Sequence, residues 1–372
     1  MPCRAPTPPR TLPAIEIGDL DWDRVASRAD PREVRRRTPS AVLQIERLLD
    51  RPEPPKFLFD RFRESPADRA IKIESLDESQ SFWFIGDLHG DLLALEAAIA
   101  LAERERTKDG LAPAFVFLGD AFDDGGHPAE TLTRLYELIH EHPDRVCLIA
   151  GNHDEALSRS ECFESSVQPS DFTDLLNRSP EDQWLVRSAV VAIRLFMKAA
   201  RALFFPDGLL VAHGGFPLTD LHEKLRQSAC WNDPACLQDF IWTRAHPTAR
   251  RKLPNRHARG AQFGHEDFAD FCAVATSLGR PISHMIRGHD HVEERFAIYE
   301  VDPRHPILTT VALSRRLDRE YSGPYVRAPT VARYVEGALP QVYKMAIPPE
   351  IVRAIYPETP HADSRASEGD QP

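Results

Sequence analysis

The feature that most constrains this chain is a series of short apolar segments, each running into glycine beside carboxylates, imidazoles or amides. "SFWFIG" (81–86) leads into Asp87, His89 and Gly90, "AFVFLG" (114–119) into Asp120 and Asp123, and "RVCLIAG" (145–151) into Asn152, His153 and Asp154. Further on, "LLVAHGG" (209–215) contains His213, and "HMIRGH" (284–289) ends on His289 and continues into Asp290 and His291. Stretches at helical spacing, "DLLALEAAIALAERER" and "PAETLTRLYELIHEH", separate the first three. Short apolar runs alternating with helices predict parallel strands buried on both faces. With "PILTTVAL" (306–313) as a further strand, the chain reads as an α/β protein.

In an open α/β sheet, groups at the carboxyl ends of neighbouring strands converge on one crevice. Asp87 and Asp120 are 33 residues apart, Asp120 and Asn152 32, and each interval suits one βαβ unit. A lone Gly-Asp or Gly-Asn-His is ordinarily a turn or a helix cap. Five such clusters in order, each after an apolar run, point instead to a site. Carboxylate, imidazole and amide donors without cysteine suit borderline divalent cations such as Mn, Fe or Zn. Six donors exceed what one ion needs if positions stay open for substrate. They suit two ions roughly 3.5–4 Å apart, bridged by one carboxylate and able to act on a phosphoryl group.

The motifs GDLHG, GDAFDDG, GNHD, HGG and RGHDH resemble those of the calcineurin-like metallophosphoesterase superfamily. They are most similar to its phosphoprotein (serine/threonine) phosphatase branch, whose series reads GDxHG, GDxVDRG, GNHE, HGG and RxH. "CWNDP" (230–234) resembles that branch's WSDP, and "ARGAQFG" (258–264) its RGxxFG; the likeness covers about residues 80–315. It implies a metallophosphoesterase sandwich: two mixed β-sheets flanked by helices, with a dimetal site at the carboxyl ends of the strands. One ion would sit on Asp87, His89 and Asp120, and a second would share Asp120 and take Asn152, His213 and His289. His153 would be the general acid for the leaving oxygen, oriented by Asp123, and Arg259 would bind phosphate oxygens. The nucleophile would be a metal-bound hydroxide, with no covalent phosphoenzyme. The implied activity is phosphomonoester hydrolysis on a phosphorylated protein or a small phosphoester. The alternatives are a small-molecule phosphohydrolase, such as a bis-nucleoside polyphosphate pyrophosphatase, nucleotidase or phosphodiesterase, and a catalytically weak regulatory protein.

Two departures from the branch pattern stand out. Where GDxVDRG has arginine, a second clamp on the phosphate, this chain has Asp124. The basic run 244–259, with Arg244, Arg250, Arg251, Lys252, Arg256 and Arg259, is the expected source of a replacement. The second departure is His291: the wider superfamily has GHxH with both histidines on metal, and strand alternation would set 289 and 291 on one side, making His291 a candidate seventh ligand. The branch's substrate-facing tyrosine has Tyr321 as its nearest counterpart. His127, His222, His246, His257 and His284 read as surface or supporting groups, and Trp184, Leu185, Val191 and the cysteines as packing residues.

Composition bounds the remaining possibilities. The chain has 372 residues, 42% of them hydrophobic, and a net charge of −11, so it can bury a large core. The acidic balance argues against nonspecific nucleic-acid binding and against a basic membrane-binding patch. Six cysteines without a CxxC pair suggest reduced thiols, and the N-terminus lacks a signal-peptide apolar stretch, so a cytoplasmic location is expected. "DQWLVRSAVVAIRLFMKAARALFF" carries Arg187, Arg194, Lys198 and Arg201, which excludes a membrane span. Residues 1–79 are expected to form an N-terminal extension packed outside a catalytic domain at 80–355. It comprises a proline-rich leader (1–13) and helices, one with a Val42, Ile45, Leu48, Leu49 stripe broken by "RPEPP". A disordered tail is expected at 356–372.

Overall fold

The structure is a computed structural model that describes residues 14–158, 163–256, 259–299, 305–320 and 322–358. The leader at 1–13, His257, Tyr321 and the tail from 359 onward lie outside the described residues. Along the chain the strands are β1 (Ile15–Ile17), β2 (Ala70–Lys72), β3 (Gln80–Ile85), β4 (Ala112–Phe117), β5 (Val146–Leu148), β6 (Ala202–Phe204) and β7 (Leu209–Ala212). They continue with β8 (Arg244–Ala245), β9 (Leu253–Pro254), β10 (Ala261–Phe263), β11 (His284–Arg287), β12 (Phe296–Tyr299), β13 (Ile307–Thr310), β14 (Thr330–Tyr334) and β15 (Gln341–Met345). One six-stranded sheet has the order β1-β15-β14-β3-β4-β5 and a second the order β12-β13-β11-β7-β6-β2; β8, β10 and β9 make a small third sheet. The two large sheets are mixed. β3, β4 and β5 are parallel while β14 runs against β3; β13, β11 and β7 are parallel while β12 runs against β13 and β6, parallel to β2, runs against β7.

Strand alternation explains the layers. In β3, Phe82 and Phe84 point into the core between the sheets, where they meet Val116, Val211, Ile286 and Leu308. Trp83 and Ile85 face the other way, against the helices Leu92–Asp109 and Pro128–Glu141. In β7, Leu209 and Val211 face the inter-sheet core, whereas Leu210 and Ala212 pack beneath Phe240 and Phe268 of the helices Pro234–Trp242 and His265–Ser277. Because both faces of the central strands are covered, their sequences are continuously apolar rather than alternating. The expected sandwich of two mixed sheets flanked by helices is therefore the observed architecture.

Residues 14–79 do more than pack outside. β1 pairs with β15 and β2 with β6, so each closes one edge of a sheet. The helix Pro31–Leu49, capped by Asp30, buries Val42, Ile45, Leu48 and Leu49 in the core shared with Leu132, Leu135 and Leu185. Strands of three residues leave no periodicity to read, and their pairing is set by tertiary contacts. Leu185 and Val191 are buried as expected, and Trp184 lies under the Arg187 guanidinium, 5.0 Å from ring to charge. Cys147, Cys236 and Cys272 are buried free thiols, whereas Cys230 is exposed. No helix among the described residues is long and apolar enough to cross a membrane.

The loops at the carboxyl edge are tied to one another. The N–H groups of Leu88 and His89 donate to the Asp120 carbonyl at 3.0 and 2.9 Å, and Gly288 donates to the His213 carbonyl at 3.1 Å. Asp87 bridges to Val311 across the seam between the sheets. Two glycines permit this crowding. A Cβ on Gly119 (φ 108°) would lie 2.3 Å from the Gly151 nitrogen, and one on Gly288 would lie 2.2 Å from Asp87 Oδ1.

Candidate metal centre

The apolar strands end where the backbone turns sharply. His89, Asp120, Asp123, Asp124 and His289 all have positive φ, between 40° and 71°. This backbone is unfavourable for side-chain-bearing residues and persists only where surrounding contacts fix it. Here it shapes three of the five loops whose side chains meet at one point. Asp87, His89 and His291 form one group, and Asp120, His213 and His289 a second; within each, the candidate ligand atoms lie within 4.8 Å of one another. Asn152 Oδ1 lies 3.2 Å from His213 Nε2, which places the amide beside the second group. Asp120 Oδ2 is 3.4 Å from His213 Nε2 and 3.8 Å from His89 Nε2, between the two groups.

This donor set fits divalent cations. His89 Nδ1 faces the Phe122 carbonyl at 3.2 Å and His213 Nδ1 the Leu118 carbonyl at 2.9 Å. Each carbonyl fixes the tautomer that leaves the Nε2 lone pair turned inward, the usual arrangement of a metal-binding histidine. His289 Nε2 is buried without a hydrogen-bond partner among the described residues. Burial holds the pKa of both His89 and His289 well below the ordinary imidazole value, so both are neutral and available to a cation. Burial opposes ionisation of Asp120, yet His213 and His153 beside it hold its carboxyl well below the usual range.

His153 stands at the edge of this cluster. Its Nδ1 is 2.8 Å from Asp123 Oδ2, and its backbone N–H donates to Asp120 Oδ1 at 3.0 Å. Burial disfavours the charged ring, but the Asp120 charge and the Asp123 hydrogen bond outweigh it and push the pKa up to about 9. Asp154, the last residue of GNHD, accepts from the backbone N–H groups of Asp120 and Gly151 and braces both loops. Asp91 caps the helix Leu92–Asp109 through Ala94 and accepts both the N–H and the hydroxyl of Ser314 at 2.7 Å.

His291 does join the first group, its Nε2 3.0 Å from Asp87 Oδ2 and 3.2 Å from His89 Nε2. Strand alternation is not the reason. β11 ends at Arg287, and the left-handed turn at His289 swings the loop round. Arg259 stands apart: it is exposed, lies over the Trp242 ring at 5.0 Å and donates to Gln238 at 3.0 Å. The basic run is largely tied down elsewhere, Arg250 to Glu266, Arg251 to Asp270 and Lys252 to Asp220; Arg244 alone of these reaches the site, donating to the His289 carbonyl at 2.8 Å. In the CWNDP segment, Asn232 accepts the N–H groups of Arg69 and Ala70 and anchors the chain entering β2.

Sequence reasoning missed Arg319. Its Nη2 is 2.5 Å from Asp124 Oδ2 and 3.3 Å from His89 Nε2. "SRRLDRE" looks like a solvated charge run, and only the arginine missing at position 124 hinted that a partner was needed.

The sequence profile described as Calcineurin-like phosphoesterase matches residues 81–293, more than half of the chain. The chain belongs to the calcineurin-like phosphoesterase family. Membership implies a dimetal site, for which the cluster offers candidate ligands. A curated relative, the serine/threonine-protein phosphatase PP2A-like PPG1 of Candida albicans, is 24% identical over 278 residues, which cover 68% of this chain and 58% of that protein. The chain thus spans a little over half the length of that relative. Among solved structures, a Saccharomyces cerevisiae protein serine/threonine phosphatase with similarity to human phosphatase PP5 superposes with a TM-score of 0.53 at 16% identity. That superposition covers 82% of this chain and 89% of the yeast one, and it shows a shared fold. Both carry the name of the branch that the calcineurin-like motifs resemble.

Proposed function

We propose that this chain is a dimetal-dependent phosphomonoesterase of the serine/threonine phosphatase kind. In this reading Asp87, His89, Asp120, Asn152, His213 and His289 hold two divalent cations, with His291 as a seventh donor. Mn, Fe and Zn all suit these nitrogen and oxygen donors. The bound cations would neutralise phosphoryl oxygens and acidify water. The protein's part begins with His153, which delivers a proton from Nε2 to the leaving oxygen. Asp123 holds Nδ1–H, fixes the ring's orientation and keeps it charged until transfer. Asp154 keeps the Asp120 loop in place. Residues 80–355 form the proposed catalytic unit, with edge strands from the preceding segment.

The observation that carries this reading is the 2.8 Å His153–Asp123 contact beside the donor cluster. A cluster that only held metal for structure has no use for a charged imidazole in that position. The names of the relatives support phosphoserine or phosphothreonine as substrate. His291 within the cluster favours a second reading, a small-molecule phosphohydrolase acting on nucleotide polyphosphates or diesters. Hydrolysis of p-nitrophenyl phosphate, bis-p-nitrophenyl phosphate and a phosphothreonine peptide with added Mn²⁺ separates the two. Turnover of monoester and peptide supports the first reading. Preference for the diester supports the second, and no turnover of any of them refutes both.

A further inference from the structure

Position 124 carries a carboxylate where an arginine clamp is expected, and an arginine from nearly 200 residues further on lies against it. Asp124 is almost fully buried, with only 3% of its side chain exposed, and Arg319 is partly open at 35%. Among the described residues the contacts of Arg319 run through Nη2: the ion pair with Asp124 and approaches of 3.3 Å to His89 and 3.4 Å to His291. A guanidinium has five N–H donors in a fixed fork, so the terminal Nη1, beside the Nη2 that Asp124 holds, is left to donate to a ligand. Arg319 lines a cavity of about 720 Å³ together with His289, His291 and Arg244. The cavity's lining carries three arginines, Arg244, Arg319 and Arg327, and three carboxylates, Asp290, Glu293 and Glu320, and of these arginines Arg319 reaches the side chains of His89 and His291.

The segment that carries Arg319 is held on both sides. Upstream, Ser314 is bound by Asp91, and Arg315 donates to the backbone carbonyls of His89 and Asp124 at 3.2 and 3.0 Å. Downstream, Glu320 takes the buried Arg295 through both its oxygens. An isolated surface ion pair would need no such framework; a group that must meet a ligand at fixed geometry does.

We propose that Arg319, seated on Asp124, is the guanidinium that clamps the phosphoryl oxygens of the substrate, so that the charge missing at position 124 is supplied from the loop after β13. Asp124 is then a positioning residue. This inference rests on the phosphoester reading above, but its test does not need turnover. Binding of inorganic phosphate to the full chain in Mn²⁺ is measured by calorimetry, with metal content determined in parallel and KM and kcat where turnover exists. Loss of a charged hydrogen-bonded contact predicts phosphate binding weaker by about 10- to 100-fold in Arg319→Ala. Metal content should be unchanged, and the effect on turnover should fall on KM more than on kcat. Arg319→Lys should recover part of the affinity, because lysine keeps the charge without the fork. Asp124→Asn should weaken binding in the same direction and by less. Unchanged phosphate affinity in Arg319→Ala, loss of metal in that variant, or no phosphate binding by the wild type would each overturn the proposal. Phosphate held through Arg319 by a protein that turns over no phosphoester would leave the clamp standing and remove the hydrolase reading.

Discussion

His153 Nδ1 lies 2.8 Å from one oxygen of Asp123, and the other oxygen accepts the backbone N–H of Phe172 at 2.9 Å. The carboxylate is therefore fixed by the chain 49 residues downstream and cannot turn away from the imidazole. With its pKa at about 9, the ring stays protonated through neutral pH.

Asp123→Asn removes the charge that favours the imidazolium. The alkaline limb of kcat/KM should move to lower pH, with loss of part of the roughly 10²–10⁴-fold that general acid catalysis provides. The same pair should appear in stability. A histidine whose folded pKa is raised stabilises the fold fully below its ordinary value near 6.5, and that contribution fades as pH rises towards about 9. Urea midpoints measured with metal chelated should fall across this window in the wild type and less in Asp123→Asn. A pH–rate profile identical in the two proteins would contradict the pairing.

Glu320 gives the opposite sign. Burial opposes its charge, but Arg295 holds its pKa down at about 2 against an ordinary 4.5. Its stabilising effect is present above about 4.5 and is lost as pH falls towards 2. Glu320→Gln leaves the buried Arg295 guanidinium without its counter-charge and should cost about 3–5 kcal/mol at pH 7. The variant's loss relative to wild type should shrink as the pH is lowered through this range. Denaturant unfolding at pH 7 and pH 3 measures both effects.

Asp91 both caps a helix and satisfies Ser314. Asp91→Ala should therefore cost more than the ~1 kcal/mol of an ordinary N-cap, because the buried Ser314 N–H loses its acceptor as well. Ser314→Ala, which removes only the hydroxyl, should cost about 1 kcal/mol. Equal losses in the two variants, read from thermal unfolding, would contradict this division.

Metal content tests the cluster itself. The wild type loaded with Mn²⁺ should bind two equivalents and unfold at higher temperature than the chelated protein, since a ligand held only by the folded state stabilises it. Asp120→Asn should lower occupancy of both sites because Asp120 lies between the two groups, whereas His213→Ala should lower one. Two full equivalents in Asp120→Asn would contradict the bridging role.

Much of this was legible in the sequence because strands that are buried on both faces must be apolar throughout, which makes the polar residues at their ends conspicuous. Asp87, Asp120, Asn152 and His213 could be placed at one crevice from spacing and topology alone. Arg319 could not. Its partner is distant in sequence, and an arginine among arginines carries no periodic signal. β1 and β2 were hidden for a related reason: "IEI" and "AIK" are too short to show alternation, and only the sheet edges beside them give them their conformation. His291 reached the cluster through a left-handed turn at His289, which breaks the strand alternation that a sequence reading extends past Arg287.

The most direct test of the central claim is the dependence of kcat/KM on leaving-group pKa, for a series of phosphate monoesters, in the wild type and in His153→Asn. The account predicts a shallow dependence in the wild type and a steep one in the variant, the deficit growing as the leaving group becomes more basic and the proton from His153 matters more. A deficit equal for all leaving groups, or none, would contradict the assignment of His153 as the acid, and absence of turnover in the wild type would contradict the account as a whole.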